Sequence, residues 1–474
     1  MSSLFGRVAP QPQQQQTDAQ KKEAVMNSVR QEVAAANAKE LVDNMTEKCY
    51  AKCVTKPGTS LTSSEETCVG RCMELYLQAS LFDPASPQMA ATFEANGIKL
   101  QQASGDDDPS DVLLTGFVFP DQPQHTIPAL VLKSTKDRIQ QLSATVSAPL
   151  HDLENPFKIT TSDTAGQGLL ATVDIQPGRL ILSERPLFVT RSELPASSSQ
   201  IETYLQVLFA RLPQVQQAIF SKLENCKSPL ECGPLLGRLR TNGFTFNPYP
   251  GAPPHAGVFA TLSRCNHSCG PNAFAHFNHQ TWAIELRASR AIKAGEEIVI
   301  SYVDVLDPCL KRRAQLAANY EFTCKCKWCT FPKSKKVESD ARRTEIASWP
   351  ETKLVQVLQS GSTSVQSLFG ETSSQAGAVN PSALIMPTIS KIVTISREGL
   401  EPFSLPHTLA LSKVYAQLGD EKNYQKWRMS SRDLSLALCG ESEETATASQ
   451  QLDDPVNTVS GWGSYVEAQG ISGA

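Results

Sequence analysis

Apolar residues follow different spacings along the chain, and the first region has the spacing of helices. Between residues 21 and 83 they recur every three or four positions, as in Val25 and Val29, which is typical of an amphipathic helix. The pattern is interrupted at Lys56-Pro57-Gly58 and ends at Asp83-Pro84. Two helices joined by a turn, a helical hairpin, are therefore predicted for this region.

The next regions lose the helical spacing. Residues 84–154 show no sustained period and contain the acidic loop Gly105–Ser110, so they are predicted to be a linker with some local structure, including one short helix over Ser134–Ser143. Over residues 155–305, short apolar runs such as Leu169–Val173 are separated by glycine turns, which is typical of short strands. A compact β domain is therefore expected after the linker.

Helical spacing returns twice. One helical patch is inserted among the strands at residues 195–245, and a longer helical region covers residues 340–440. Both ends of the chain, residues 1–20 and 441–474, are polar without a period and are predicted to be disordered tails. Helices and strands in separate regions predict the α+β fold class.

Composition narrows the functional classes. The chain has 474 residues with 44 basic and 48 acidic side chains, a formal net charge of −4. It therefore lacks the strongly basic footprint of a sequence-specific nucleic-acid binder. No apolar run approaches the ~18 residues of a transmembrane helix, and the N-terminus lacks the apolar core of a secretory signal. A soluble protein without a transmembrane segment is expected.

Four cysteines near the N-terminus form two pairs. Cys49 and Cys53 are four residues apart, as are Cys68 and Cys72, so each pair lies on one face of a helix. In an antiparallel hairpin the residues nearest the turn meet first, which predicts the disulfides Cys53–Cys68 and Cys49–Cys72. A four-thiolate zinc site is the alternative, although its pairs usually enclose two residues rather than three.

This region resembles the small Tim proteins, the twin Cys-x-x-x-Cys chaperones of the mitochondrial intermembrane space. The resemblance rests on Cys49-Tyr-Ala-Lys-Cys53, Lys56-Pro57-Gly58 and Cys68-Val-Gly-Arg-Cys72. It implies partner subunits of the same family, assembled in rings, and hydrophobic membrane-protein precursors as clients. Asp83-Pro84 is a departure, because family members extend the second helix further beyond the last cysteine.

A second group of cysteines is spaced for metal binding. Three cysteines of residues 306–332 are too close together to bridge one another without strain, yet they can converge on one tetrahedral ion; they are Cys324, Cys326 and Cys329. A fourth ligand is needed, and spacing leaves Cys269, Cys265 and Cys309 as candidates. A nucleophilic cysteine activated by His267 is the weaker alternative, because no orienting acid is recognisable nearby.

The central region resembles the SET-domain protein lysine methyltransferases. Five segments occur in the order of that family: Thr164–Leu169, Asn242–Phe244, Asn266–Asn272, Gly295–Tyr302 and the Cys-x-Cys-x-x-Cys segment Cys324–Cys329. The resemblance implies a SET β-fold with a pseudoknot over residues 155–305. It also implies a post-SET zinc segment over residues 306–332.

The resemblance also assigns roles to individual residues. Tyr302 and Tyr320 are the expected catalytic residues, beside the transferred methyl group and the lysine channel. The zinc ligands would be Cys269, Cys324, Cys326 and Cys329. S-adenosylmethionine would be bound by Gly166, Gln167, Gly168, Leu169, Asn242, Asn266, His267 and Phe322.

Two features lie outside the core motifs of this family. The MYND zinc module of one SET subgroup is missing, but residues 340–440 resemble the tetratricopeptide-like region of that subgroup. The basic run Lys311-Arg312-Arg313, together with several nearby lysines, is interpreted as a solvated face rather than a surface for nucleosomal DNA.

The two resemblances predict two functions. One is an S-adenosylmethionine-dependent lysine methyltransferase of the nucleus or cytoplasm, acting on histone or other protein lysines. The other is an import chaperone of the mitochondrial intermembrane space. Disulfides and zinc thiolates favour opposite redox conditions, so one compartment suits them poorly together. A third interpretation is that a gene model joins two neighbouring genes within residues 84–155.

Overall fold

A computed structural model describes residues 112–150, 155–162, 166–194, 196–359 and 380–468. They belong to the second of two units into which the chain divides, residues 97–474. The helical hairpin 21–83 lies outside the described residues, so the disulfides Cys49–Cys72 and Cys53–Cys68 stay predictions. None of the helices in the described ranges has the length and apolar character needed to cross a membrane.

Twelve short strands in the described residues form three sheets. They are β1 (Val112–Val118), β2 (Thr126–Leu132), β3 (Phe157–Ser162), β4 (Gly166–Ala171), β5 (Leu180–Glu184), β6 (Phe188–Arg191), β7 (Gly243–Phe246), β8 (His255–Val258), β9 (Asn266–His267), β10 (Ala273–Asn278), β11 (Ala283–Ala288) and β12 (Glu297–Ile300). The sheet orders are β1-β2-β6-β8-β7, β10-β11-β5 and β3-β4-β12-β9. With the helices below, they confirm a mixed α+β fold.

The prediction of a linker over residues 84–154 is wrong for its second half. β1 and β2 form an antiparallel hairpin, and β2 pairs in parallel with β6, Ala129 lying opposite Val189. The helix α1 (Lys133–Ser143) follows and packs on both strands. The hairpin was missed because Pro128 interrupts the second apolar run, and proline usually weakens the prediction of a strand.

This hairpin belongs to the hydrophobic core of the sheets. Phe117 and Phe119 contact the indole of Trp282, with ring centroids 5.6 and 5.0 Å apart. Their burial removes the large apolar side chains of the hairpin from water. Because β1 and β2 belong to a sheet of this unit, any boundary with the region of the predicted helical hairpin lies before Val112 rather than near residue 155.

A short parallel pair of strands brings two distant motifs together. β9 pairs with β12, with Asn266 opposite Val299 and His267 opposite Ile300. β12 also pairs antiparallel with β4, which begins at Gly166, and Asn266 Nδ2 donates to the Gln167 carbonyl of β4 at 3.2 Å. This arrangement places the Asn-His motif beside the glycine turn at Gly166. The pseudoknot named from the resemblance stays a prediction.

Three helices occupy the span predicted for the inserted helical patch. They are α2 (Ser198–Ala210), α3 (Gln214–Ser221) and α4 (Pro234–Asn242). Ser197 begins α2 with a capping box, and the buried Glu202 accepts the backbone N–H of Leu235 and Leu236 at the start of α4, at 3.0 and 2.7 Å. This acceptor fixes α4, which delivers Asn242 to the site.

Helices make up most of the remaining described residues. They are α5 (Cys309–Tyr320), α6 (Lys327–Thr330), α7 (Lys333–Ser348), α8 (Pro350–Gln359), α9 (Ile385–Arg397), α10 (Leu405–Gln417), α11 (Glu421–Cys439), α12 (Glu443–Asp453), α13 (Pro455–Thr458) and α14 (Ser464–Ala468). α5 ends because Glu321 adopts a left-handed conformation, with φ of 57°. That turn directs the chain towards the three clustered cysteines.

The prediction of a disordered tail over residues 441–474 is wrong as far as residue 468. Ser442 and Thr445 form a capping box that begins α12, and Glu444 pairs with Arg428 of α11 at 2.7 Å. The sequence signal was weak because small residues such as Ala448 fill the contact with α11, so no stripe of large apolar residues appears.

Candidate active site and metal centre

A cavity of about 800 Å³ lies where the glycine turn, β9, the end of α4 and the segment after α5 meet. Eight of the residues expected to act in catalysis or cofactor binding line it: Gly166, Gln167, Asn242, Asn266, His267, Tyr302, Tyr320 and Phe322. The other two do not: Gly168 pairs with Thr160 inside a sheet, and Leu169 is completely buried in the core. The cofactor contacts expected of Gly168 and Leu169 stay predictions.

The rim at the glycine turn has room for a ligand. Gly166 has a φ of +75°, and in the part of the chain that the structure describes nothing lies within 4 Å of the position that a Cβ would occupy. The side-chain oxygen of the neighbouring Gln167 accepts a hydrogen bond from Arg264. The backbone carbonyl of Gln167 accepts another from Asn266 Nδ2 at 3.2 Å. Asn266 also donates to Glu297 at 2.7 Å. Arg264 and Glu297 were missed from sequence because neither belongs to a metal or catalytic spacing.

His267 connects the cavity with the cysteines. Its Nδ1 accepts the backbone N–H of Tyr302 at 3.1 Å, so the ring proton lies on Nε2, 3.4 Å from the Cys269 sulfur. Burial lowers the pKa of His267 to about 4. The imidazole is therefore neutral near pH 7 and donates one hydrogen bond towards the sulfur.

Aromatic rings form one wall of the cavity. The rings of Tyr302 and Tyr320 are 4.8 Å apart, and Phe322 lies 6.1 Å from the His267 ring. The Tyr302 hydroxyl donates to the Cys265 carbonyl at 2.6 Å, and burial raises its pKa further. The phenol thus stays protonated, while its oxygen can still accept a hydrogen bond from a group in the cavity.

Asn242 reaches the cavity with its amide already engaged. Its Nδ2 donates to the carbonyls of Glu224 and Arg238, both at 2.7 Å, and the residue is buried. Its amide oxygen is the group left for other contacts. The neighbouring Cys226 and Thr241 also line the cavity, and their groups are 3.2 Å apart. Sequence spacing gave no reason to select either of these two.

Four cysteine sulfurs converge beside the cavity. Those of Cys269, Cys324, Cys326 and Cys329 all lie within 4.8 Å of one another. A tetrahedral zinc ion with Zn–S bonds of ~2.3 Å needs sulfurs ~3.8 Å apart, so this buried four-sulfur set fits zinc. Hydrogen bonds with the Cys269, Cys324 and Cys329 thiols lower the pKa of Cys326, whereas the neighbouring Cys324 and Cys326 thiols raise that of Cys269.

The two other candidates for the fourth position are placed differently. The Cys265 thiol donates to the Ile298 carbonyl at 3.2 Å, and burial raises its pKa, which disfavours a nucleophilic role. The Cys309 sulfur lies 3.9 Å from that of Cys329, outside the four-sulfur set. Among the described residues, Cys269 is therefore the one that completes the set.

Trp328 fixes the cysteine segment onto the rest of the unit. Its Nε1 donates to the Arg397 carbonyl at 3.3 Å, at the end of α9. The indole packs against two adjacent glycines, Gly270 beside Cys269 and Gly399 just after α9, whose missing side chains leave room for the ring. The metal centre is thus held between the β domain and the C-terminal helices.

Comparisons with known proteins match two separate parts of the chain. The model of the Tim10/DDP family zinc finger matches residues 27–82, and the model of the SET domain matches residues 166–303. The Schizosaccharomyces pombe protein "Histone-lysine N-methyltransferase set5" is 32% identical over 197 residues, which are 41% of this chain and 57% of that relative. The chain thus spans little more than half of that relative's length.

The other relatives match the N-terminal part. "Mitochondrial import inner membrane translocase subunit TIM13" of Mycosarcoma maydis is 47% identical over 79 residues, covering 17% of this chain and 73% of that relative. The Xenopus laevis "Mitochondrial import inner membrane translocase subunit Tim13-B" is 50% identical over 56 residues, 12% of this chain and 58% of that relative. The chain therefore belongs to the Tim10/DDP family through residues 27–82 and carries a SET domain over residues 166–303.

Proposed function

We propose that the chain is an S-adenosylmethionine-dependent protein-lysine N-methyltransferase. The observation that carries this proposal is the convergence of the Asn-His motif and the aromatic wall on one cavity beside the four-sulfur set. The four cysteine sulfurs fit zinc as its ligands. The open turn at Gly166 fits a ligand that carries a nucleoside. When bound, S-adenosylmethionine supplies a methyl group on a positively charged sulfur.

The residues of the chain have three tasks in this proposal. Gly166, Gln167 and Asn266 hold the cofactor at the rim, and His267 and Phe322 hold it inside the cavity. Tyr302 accepts an amine hydrogen through its phenol oxygen, whose own proton is committed to the Cys265 carbonyl. Tyr320 narrows the cavity beside it, and a desolvated aromatic surrounding favours the neutral, nucleophilic form of the lysine amine.

The four cysteines would hold zinc as a structural centre. Cys269 follows the cofactor motif, whereas the other three follow Phe322, so one ion would hold both sides of the cavity together. Full-length protein with the four N-terminal cysteines replaced by serine should bind about one zinc equivalent through this set. Cys324→Ser should lose it, and Cys439→Ser should retain it; the opposite pattern would reject the assignment.

Methyl transfer is the direct test of the enzyme. Full-length protein should transfer labelled methyl groups to a lysine, and histones are the first substrates to try because the fission-yeast relative is named for them. His267→Ala should weaken S-adenosylmethionine binding, measured by calorimetry. The matched control is His125→Ala, a partly buried histidine bonded to Gln216 and outside the cavity lining. Equal binding by both variants would contradict the assigned role.

A second function rests on the Tim13 matches. Residues 21–83 would act as a chaperone module that joins partner subunits of the small Tim family and shields hydrophobic membrane-protein precursors. Expressed in yeast mitochondria, the full chain should co-purify with small Tim subunits, and Cys53→Ser should abolish this. Recovery in the cytosol or nucleus alone would remove this function.

Whether both modules occur in one polypeptide can be tested directly. Any junction lies before Val112, because the hairpin β1–β2 belongs to the sheet that contains β6. If one polypeptide carries both modules, a protein band of 51.6 kDa digested with trypsin should yield the peptide 72–99 together with peptides of the SET domain. Two smaller proteins with the two peptide sets separated would show that the gene model joins two genes.

A further inference from the structure

Arg312 is a buried arginine in a stretch whose sequence predicts a solvated face. The helix α5 buries Cys309, Arg312 and Leu316 on one side, whereas the adjacent Lys311 is exposed and pairs with Asp307. The relative exposure of Arg312 is 0%. A guanidinium ion in such a position is costly unless an anion compensates its charge.

The hydrogen bonds of Arg312 leave part of its side chain unsatisfied. Nη1 donates to the Asp307 carbonyl, and the Asp340 carboxylate lies 4.0 Å away. That carboxylate oxygen already accepts the backbone N–H of Cys309 at 2.7 Å. Nε and Nη2 of Arg312 are buried and have no hydrogen-bond partner in the described part of the chain.

Arg312 lies between Cys309 and Leu316 on the buried side of α5, and these two residues pack in one cluster with Cys269, Cys324 and Cys329. Burial lowers the pKa of Arg312, but the nearby Cys269 thiol, together with the charges of Cys329 and Cys309, raises the pKa overall. A second buried arginine, Arg343, also contacts this region by donating to the Cys269 carbonyl at 3.0 Å. Arg343 differs because Glu398, equally buried, lies 3.0 Å from its Nε and compensates its charge.

We infer that Arg312 is a positioning residue of the metal centre, compensating the negative charge of its thiolates through its unsatisfied N–H groups. The inference rests on the zinc site proposed above. Four thiolates and one Zn²⁺ carry a formal charge of 4 × (−1) + 2 = −2, and such charge in a buried site needs nearby hydrogen-bond donors. Arg312 supplies a full positive charge there without a carboxylate in hydrogen-bond contact.

Zinc affinity of an apolar variant is the first measurement. Arg312→Met keeps an unbranched apolar stem and removes the guanidinium charge, in the full-length protein with the four N-terminal cysteines replaced by serine. The dissociation constant for zinc, measured by competition with a chromophoric chelator, should rise ~10- to 100-fold, as for other residues that support metal ligands. The control is Arg313→Met, the next residue of α5, which should change it less than about threefold.

Stability with and without metal separates charge compensation from simple packing. Arg312→Met should lower the melting temperature of the zinc-loaded protein. After chelation it should leave the melting temperature unchanged or raise it, because an uncompensated buried charge has been removed. A packing role would lower both melting temperatures equally, and that result, with unchanged zinc affinity, would overturn the inference.

A second variant covers a failure of Arg312→Met to fold. Arg312→Lys keeps the charge and should retain zinc affinity within about tenfold of the wild type, weakened by its single ammonium group. A complete loss of zinc binding in Arg312→Lys, with the protein folded, would show that charge is not the decisive property. Wild-type protein that takes up no zinc would instead contradict the proposed zinc site, before any variant is made.

Discussion

Replacing Gly270 by alanine should disrupt the packing of the cysteine segment against the β domain and destabilise the folded state. A Cβ built on Gly270 overlaps three ring atoms of Trp328, namely Cη2, Cζ3 and Cζ2. The indole is held in place by the hydrogen bond from its Nε1 to the Arg397 carbonyl at 3.3 Å. Trp328 is 8% exposed, so the ring has little open space to enter.

The size of the effect follows from this confinement. Overpacking in a rigid core typically costs ~1–3 kcal/mol, and a ring that is almost fully buried and hydrogen-bonded should place this substitution near the upper end. At an m-value of roughly 1–3 kcal/mol per molar urea, the unfolding midpoint should fall by about 1 M or more. Far-UV circular dichroism in a urea titration measures that midpoint.

A double-mutant cycle tests the stated cause. In a Trp328→Leu background the ring is gone, so Gly270→Ala should then cost under about 1 kcal/mol, giving a coupling energy of about 2 kcal/mol. Additive effects of the two substitutions would refute the reasoning, since the cost would then arise from the backbone of Gly270 and not from the contact with Trp328.

Two further predictions concern a buried acid and the N-terminal cysteines. Glu184 accepts the backbone N–H groups of Thr261 and Leu262, and burial raises its pKa from 4.5 to about 7. The folded state therefore holds a proton that the unfolded state releases, and wild-type stability should fall relative to Glu184→Gln by about 3 kcal/mol as the pH rises from 4.5 to 7. Urea titrations at pH 4.5 and 8 measure this, with the exposed Glu193→Gln as control; parallel curves would contradict it. For the hairpin, mass spectrometry of oxidised protein should find the pairs Cys49–Cys72 and Cys53–Cys68, whereas pairing within either Cys-x-x-x-Cys unit would reject the antiparallel geometry.

The sequence identified the motifs of the site but not the contacts that join them. His267 and Tyr302 are hydrogen-bonded although they are 35 residues apart in the sequence. The parallel pairing of β9 with β12 brings them together, and this pairing has no local signature in the sequence. Spacing left three cysteines open as the fourth metal ligand. The structure distinguishes them through the hydrogen bond of Cys265 and because Cys309 is not among the four sulfurs that all lie within 4.8 Å of one another.

The errors share a physical origin. In a sequence, charged residues predict solvent-exposed positions and prolines predict loops, because most such residues of folded proteins are found in those places. Arg312 and Pro128 break that expectation because tertiary contacts outweigh the local preference: the clustered thiols lie near the first, and sheet pairing contains the second. Such contacts join residues far apart in sequence, so local patterns could not have revealed them.

The most direct test of the enzymatic proposal is methyl transfer by Tyr302→Phe. The substitution removes the hydroxyl that donates to the Cys265 carbonyl at 2.6 Å, at a stability cost of about 1 kcal/mol. Turnover on a lysine substrate should fall by at least one power of ten, ~1.4 kcal/mol of barrier, while S-adenosylmethionine affinity and zinc content stay unchanged. Unchanged turnover in this variant, or wild-type protein that binds no S-adenosylmethionine, would contradict the proposed function.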